Sequence, residues 1–158
     1  LVHAASGGVG TFAVQLAKEH GARVIGTCSA DNVAYVRSLG ADEVVDYKKQ
    51  RFEDVAKNVY LVLDLVGGEV QERSGSVLKP SGIHVSIITA PKPKPGGPRG
   101  GYVFVQPSAD QLGSIATMID AGKLRVEVSK VLPLAQAAEA QELSRAGHTR
   151  GKIVLRVD

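Results

Sequence analysis

The chain has 158 residues, 44% hydrophobic and 22% charged, with a formal net charge of +3, which fits one globular domain with a real core. Its cations are scattered apart from Lys48-Lys49-Gln50-Arg51 and the 92–99 loop, and its aromatic content is 4% with no Trp, so no nucleic-acid platform is expected. Cys28 is the only cysteine, which leaves no internal disulfide and no cysteine-based zinc cluster and suits a cytoplasmic protein; no membrane span or signal peptide is visible.

In chain order, residues 1–5 form a short apolar run that reads as a strand. It leads into Ser6-Gly7-Gly8-Val9-Gly10 and then an amphipathic helix with Val9, Phe12, Ala13, Leu16 and Ala17 on one face. Strand, Gly-rich turn and helix together aim unpaired N–H groups and a positive dipole end at a phosphate. The spacing Ala5-x-Gly7-x-x-Gly10 is a GxGxxG fingerprint with alanine first. Gly7 would admit a pyrophosphate and Gly10 would let helix and strand pack closely. The bland alternative is a plain tight turn.

Residues 23–27 predict a second strand. Residues 31–39 predict a helix with Asp31 as N-cap, ended by Gly40. Residues 43–46 predict a third strand, 51–57 a short helix and 61–64 a fourth strand closed by Gly67-Gly68. Residues 69–78 predict a helix stopped by Pro80 and Gly82, and 83–88 a fifth strand. This alternation predicts a parallel sheet covered on both faces: an α/β, doubly wound Rossmann fold with strand order 3-2-1-4-5-6.

Residues 89–101 are Pro/Gly/Lys-rich, either a loose connector or a substrate-side flap whose lysines meet phosphate. Residues 102–105 predict a sixth strand. Residues 109–121 predict a helix with Leu112, Ile115, Ala116 and Ile119 on one face, 134–146 a helix opened by Pro133 and ended by Gly147, and 152–157 a last strand. There is no initiator Met and the chain begins inside the expected central strand, which predicts a piece of a longer polypeptide.

Several segments in order carry a resemblance: His3-Ala4-Ala5-Ser6-Gly7-Gly8-Val9-Gly10, Ser38-Leu39-Gly40-Ala41-Asp42-Glu43-Val44-Val45-Asp46-Tyr47, Asp64-Leu65-Val66-Gly67-Gly68, Ile119-Asp120-Ala121-Gly122-Lys123-Leu124 and Gly147-His148-Thr149-Arg150-Gly151-Lys152-Ile153-Val154-Leu155. The chain resembles the carboxyl-terminal, cofactor-binding half of a medium-chain dehydrogenase/reductase of the zinc-independent, quinone oxidoreductase-like type. The resemblance implies a missing amino-terminal domain that completes the active site. Residues 1–127 would be the dinucleotide-binding domain. Residues 128–158 would pack on the missing domain and expose an apolar strip without it. It also implies a homodimer through the edge strand from Tyr102 to Val105.

NAD readers usually end the second strand with a carboxylate; this chain has Thr27-Cys28-Ser29 there, which favours NADP, with NAD as second choice. In the family a small hydroxyl residue, a lysine and a tyrosine hold the 2′-phosphate. Ser29 and Tyr47 match, whereas Asn32 falls on or near the lysine position; Arg37 and Lys48 are the substitutes. The plain readings are that Tyr47 packs at a strand end and Ser29 caps a helix. On the nicotinamide side the resemblance implies Leu65, Val66 and Gly67, and Ser86, Ile87 and Ile88, positioning the ring.

Asp64 reads as structural rather than acid/base, His3 as core and Cys28 as a small buried hydrophobe. His20, His84 and His148 show no ligand spacing, no metal site is expected, and no Tyr-x-x-x-Lys or GxxxxGK[ST] occurs. The resemblance implies an NADPH-dependent reductase of a quinone or an α,β-unsaturated carbonyl, with this chain alone inactive. The alternatives are a non-catalytic, crystallin-like nucleotide-binding protein and half of a zinc alcohol dehydrogenase.

Overall fold

The computed structural model describes residues 1–92 and 95–157. Its sheet is parallel throughout. β1 (Ile25–Cys28) pairs with β2 (Glu43–Asp46), and β3 (Val59–Asp64) pairs with β4 (Leu78–Ser86), which pairs with β5 (Arg99–Tyr102). Val2 joins the two units by single parallel bridges to Gly26 of β1 and Leu63 of β3. The amino-terminal segment is therefore a one-bridge element rather than the five-residue strand expected. Ala4 turns it out of extended geometry at φ 47°.

Helices flank this sheet: α1 (Gly10–Glu19), α2 (Val33–Ser38), α3 (Phe52–Val55) and α4 (Gly68–Ser74). Successive residues of the first segment point to opposite faces, as a strand period of two requires. Leu1 joins Ile25, Val45, Phe52, Val62 and Leu78 in one core, and Val2 joins Ala5, Val14, Val24, Val36 and Leu39 in the other. Covering both faces is what a parallel sheet demands, and this is the doubly wound fold the sequence pattern implies.

Several expectations need correction. α1 buries Gly10, Thr11, Val14 and Gln15, whereas Val9 is 46% exposed. The stripe is rotated because Gln15 is drawn inward, donating to the carbonyls of Thr11 and Arg125 and accepting from the Arg125 N–H. Asp31 does not cap α2, because a 3₁₀ turn over Ala30–Asn32 precedes it and puts Asn32 at the cap position. The fifth strand begins earlier than expected, at Leu78, running through Pro80 with a register shift between Val59 and Leu61. The sixth lies at Arg99–Tyr102 rather than 102–105: only the Val103 N–H, bonded to the Ser86 carbonyl at 3.0 Å, extends it. Of the 89–101 loop, residues 93 and 94 lie outside the described residues.

Beyond α5 (Ala109–Asp120), the chain forms a second parallel pair, β6 (Val128–Pro133) and β7 (Lys152–Arg156), joined by α6 (Ala137–Arg145). Pro133 ends β6 and opens a 3₁₀ turn, rather than starting the helix directly. No residue of α5 is buried, and Leu112 on its expected core face is 69% exposed. This carboxyl-terminal unit is tied back to the sheet domain: the Gly151 N–H donates to the Ser6 carbonyl at 2.9 Å, and Lys123 Nζ pairs with Glu19 Oε1 at 2.7 Å.

Candidate cofactor site

The Gly-rich turn sits where the first segment meets α1. The Gly7 N–H closes on the Ala4 carbonyl at 2.9 Å, and the Thr11 N–H on the Gly7 carbonyl at 3.0 Å. A Cβ on Gly10 would lie 2.2 Å from the Ala4 oxygen and 2.8 Å from Ala5 Cα, so only glycine permits this approach of helix to strand. The N–H groups of Gly8 and Val9 have no intramolecular acceptor among the described residues, leaving donors free ahead of the first helical turn. Ser6 lies half-buried beside them. This cradle of free donors and absent side chains fits a pyrophosphate.

At the carboxyl ends of β1 and β2, the Tyr47 N–H donates to the Cys28 carbonyl at 3.2 Å, so Ser29 and Tyr47 stand at adjoining strand ends. Tyr47 is 54% exposed and free to meet a ligand rather than packed into the core. Ser29 Oγ makes no cap to a backbone N–H. It accepts instead from Asn32 Nδ2 at 3.1 Å. Cys28 is buried, and burial, aided by the Asp46 charge, pushes its thiol up to about 11, so it is inert. Of the substitute cations, Lys48 lines the same cleft as Tyr47, while Arg37 is exposed on α2. That cleft encloses about 690 Å³, with His3, Thr27, Val66 and Arg73 also on its walls.

Asp64 organises the third part. It is fully buried at the end of β3. Its Oδ1 accepts from the N–H groups of Val66 and Gly67, both at 2.9 Å, and its Oδ2 from Ser86 Oγ at 3.0 Å and Gln71 Nε2 at 3.1 Å. Burial pushes this carboxyl up, but the four donors outweigh it and hold it below the ordinary range. Ser86 Oγ in turn accepts from the Ile88 N–H at 3.1 Å, and the Ile87 N–H reaches the Asp64 carbonyl at 3.3 Å. One carboxylate thus fixes both loops, Leu65-Val66-Gly67 and Ser86-Ile87-Ile88. It is a positioning group with no capacity left for proton transfer.

His3 is core, as expected. Ser74 Oγ donates to the Val70 carbonyl at 2.6 Å, so His3 Nε2–H donates to Ser74 Oγ (3.0 Å) and its Nδ1 accepts from the Thr27 hydroxyl (3.2 Å). Among the described residues, no group of three or more His, Cys, Asp or Glu side chains is placed to hold a metal ion. Sequence reasoning missed two residues. Arg150 reaches Asn32, with Nε to Oδ1 at 2.8 Å, and Lys152 Nζ lies 3.0 Å from where a Cβ of Gly8 would stand. Both lie more than a hundred positions from the turn, and no local pattern pairs them with it.

The fold is of the Rossmann-like class seen in solved quinone oxidoreductases. Residues 39–155 match the family model described as zinc-binding dehydrogenase, and the chain belongs to that family of medium-chain dehydrogenases/reductases, corresponding to the carboxyl-terminal half of quinone oxidoreductase-like relatives. It is 35% identical over 187 residues to the mitochondrial NAD(P)H oxidoreductase RTN4IP1 of Danio rerio, covering 99% of this chain and 48% of that protein. It is 33% identical over 160 residues to the chloroplastic NADPH-dependent alkenal/one oxidoreductase of Arabidopsis thaliana, covering 98% of this chain and 39% of that one. The solved quinone oxidoreductase from Coxiella burnetii superposes with a TM-score of 0.94 at 36% identity, over 99% of this chain and 52% of that structure. The chain spans about half the length of the curated relatives it matches.

Proposed function

We propose that this chain is the cofactor half of an NADPH-dependent oxidoreductase that reduces a quinone or an α,β-unsaturated carbonyl without zinc. The observation that carries the reading is what stands at the ends of the first strands. A cradle at Gly7-Gly8-Val9-Gly10 fits a pyrophosphate, and a hydroxyl at Ser29 stands beside Tyr47 where an NAD reader carries a carboxylate. The names of the relatives, an NAD(P)H oxidoreductase, an alkenal/one oxidoreductase and a quinone oxidoreductase, support the class of reaction. NAD is the second cofactor in this reading.

When bound, the dihydronicotinamide supplies a hydride to an electron-poor carbon. This chain's part is to bind and orient. The turn and α1 hold the anionic centre, and the two loops fixed by Asp64 present backbone groups to the nicotinamide end. The second substrate wall comes from outside these residues, so the chain alone binds NADPH weakly and turns nothing over. A cytoplasmic location and a homodimer through β5 and its Val103–Val105 extension belong to the same reading. In support, the second edge of β5 has no partner strand among the described residues, and Phe104 is 72% exposed. No described helix is long and apolar enough to cross a membrane.

The test is absorbance at the dihydronicotinamide band with the full-length protein, a quinone or enone acceptor and either cofactor, with and without a chelator. NADPH consumption unaffected by chelation is expected. Consumption only with NADH, or only with metal, contradicts the reading.

A further inference from the structure

We infer that the cavity bounded by α4, β4 and β5 is a second ligand site, which takes a small organic monocarboxylate with an apolar body and holds its carboxylate at His84 and Arg99. The inference goes beyond the cofactor reading and does not depend on it. The cavity encloses about 620 Å³ and shares no lining residue with the cleft at Tyr47. Val70 and Arg73 of α4 wall that cleft, whereas Gln71 and Glu72, with Gly75 just beyond the helix, wall this one.

His84 is the central observation. It sits within β4, in register with Val62 of β3 and Gly100 of β5. It is 6% exposed, and its Nε2 is buried with no hydrogen-bond partner among the described residues. A buried polar atom left unpaired is costly and calls for a partner. Burial holds the imidazole below its ordinary range, against the opposing charge of Asp64, so the ring is neutral at pH 7 and has one N–H to give. Glycines leave the space beside it. A Cβ on Gly100 would lie 2.8 Å from the Pro91 oxygen, so only glycine lets the loop come down over β5 here. A Cβ on Gly75, on the α4 wall, would meet nothing within 4 Å.

The remaining walls define the ligand. Leu78 and Pro91 are buried and apolar, and Ala90 and Pro98 continue that surface. One end is fixed in advance: Gln71 Nε2 donates to the Thr89 carbonyl at 2.8 Å and to Asp64 Oδ2 at 3.1 Å, and Thr89 Oγ1 donates to Gln71 Oε1 at 3.0 Å. Lys92 and Arg99 bring two positive charges and Glu72 one negative, and none of the three is in an ion pair among the described residues. The balance is one uncompensated cation, which suits a monoanion. A carboxylate accepts from the His84 Nε2–H and from the planar guanidinium fork together, while its apolar body covers Leu78 and the prolines.

The test is calorimetric titration of the full-length protein with benzoate, with benzamide as the uncharged analogue and inorganic phosphate as the anion without an apolar body. Benzoate is expected to bind saturably, and the other two at least about tenfold more weakly. Three variants probe the site. His84→Leu removes the unpaired nitrogen and Arg99→Gln the charge, and Gly75→Leu puts a side chain into the open space. Each is expected to weaken benzoate about tenfold or more, and His84→Leu to keep a thermal midpoint no lower than wild type, because it removes an unsatisfied buried group. Arg99 and Gly75 are exposed, so their variants decide the matter if His84→Leu does not fold. No binding of benzoate, or binding that neither Arg99→Gln nor Gly75→Leu weakens, would overturn the site. Phosphate or benzamide binding as tightly as benzoate would overturn the ligand class.

Discussion

Asp64 shows what a single buried side chain decides here. Four donors converge on it, so replacing it leaves buried N–H groups without acceptors. Asp64→Ala is expected to cost about 2–4 kcal/mol in urea unfolding and to abolish dinucleotide binding. A variant with wild-type stability would show that the carboxylate does not hold the two loops. Its structural role was legible from its place at a strand end; its four partners were not, because Gln71 and Ser86 come from other elements. His3 makes a pH prediction. Burial pushes its imidazole from 6.5 down to about 4, so the folded protein keeps a neutral ring while the unfolded chain takes up a proton. The stability it contributes is full above about pH 6.5 and is lost as the pH falls toward 4, by up to about 1.4 kcal/mol per pH unit. Urea midpoints from pH 7 to 4.5 should show that slope in wild type and a reduced one in His3→Gln; equal slopes would refute it.

Among the elements, the pair formed by the turn and α1 was the most legible. Gly7 and Gly10 have mechanical reasons to be there, and the Gly10 approach is the closest the turn makes. Gly10→Ala should therefore cost stability, about 1–3 kcal/mol from the forced displacement of Ala4 and Ala5, together with loss of dinucleotide affinity. A thermal midpoint equal to wild type would contradict the packing described. The regular βα alternation through β4 was equally readable, since strand and helix periods differ. β6 was not: Ser129 and Lys130 interrupt its apolar pattern, and it is held as a strand by β7, which lies on the far side of α6. The face of α5 was read as core from its spacing, yet Leu112 is exposed, because periodicity shows which face is apolar and not whether anything covers it. Arg150 and Asn32 show the same limit, being 118 residues apart and joined only by the folded chain.

At the scale of the whole molecule, apolar side chains remain exposed over the carboxyl-terminal unit, among them Val131, Leu134 and Val157, and beside β5 at Val103, Phe104 and Val105. Surfaces of this kind favour association. Sedimentation of the 158-residue chain should show concentration-dependent self-association that Phe104→Asp with Val105→Asp weakens; a monomer at all concentrations would count against β5 as a contact edge. The ligand proposed for this sheet edge is a 2′-phosphorylated dinucleotide. Calorimetric titration of the chain with NADPH and NADH at matched salt tests it most directly, with Ser29→Asp as the control. Tighter binding of NADPH is expected, about tenfold or more, with the preference lost or reversed in Ser29→Asp. Equal affinities, or tighter NADH, would contradict it.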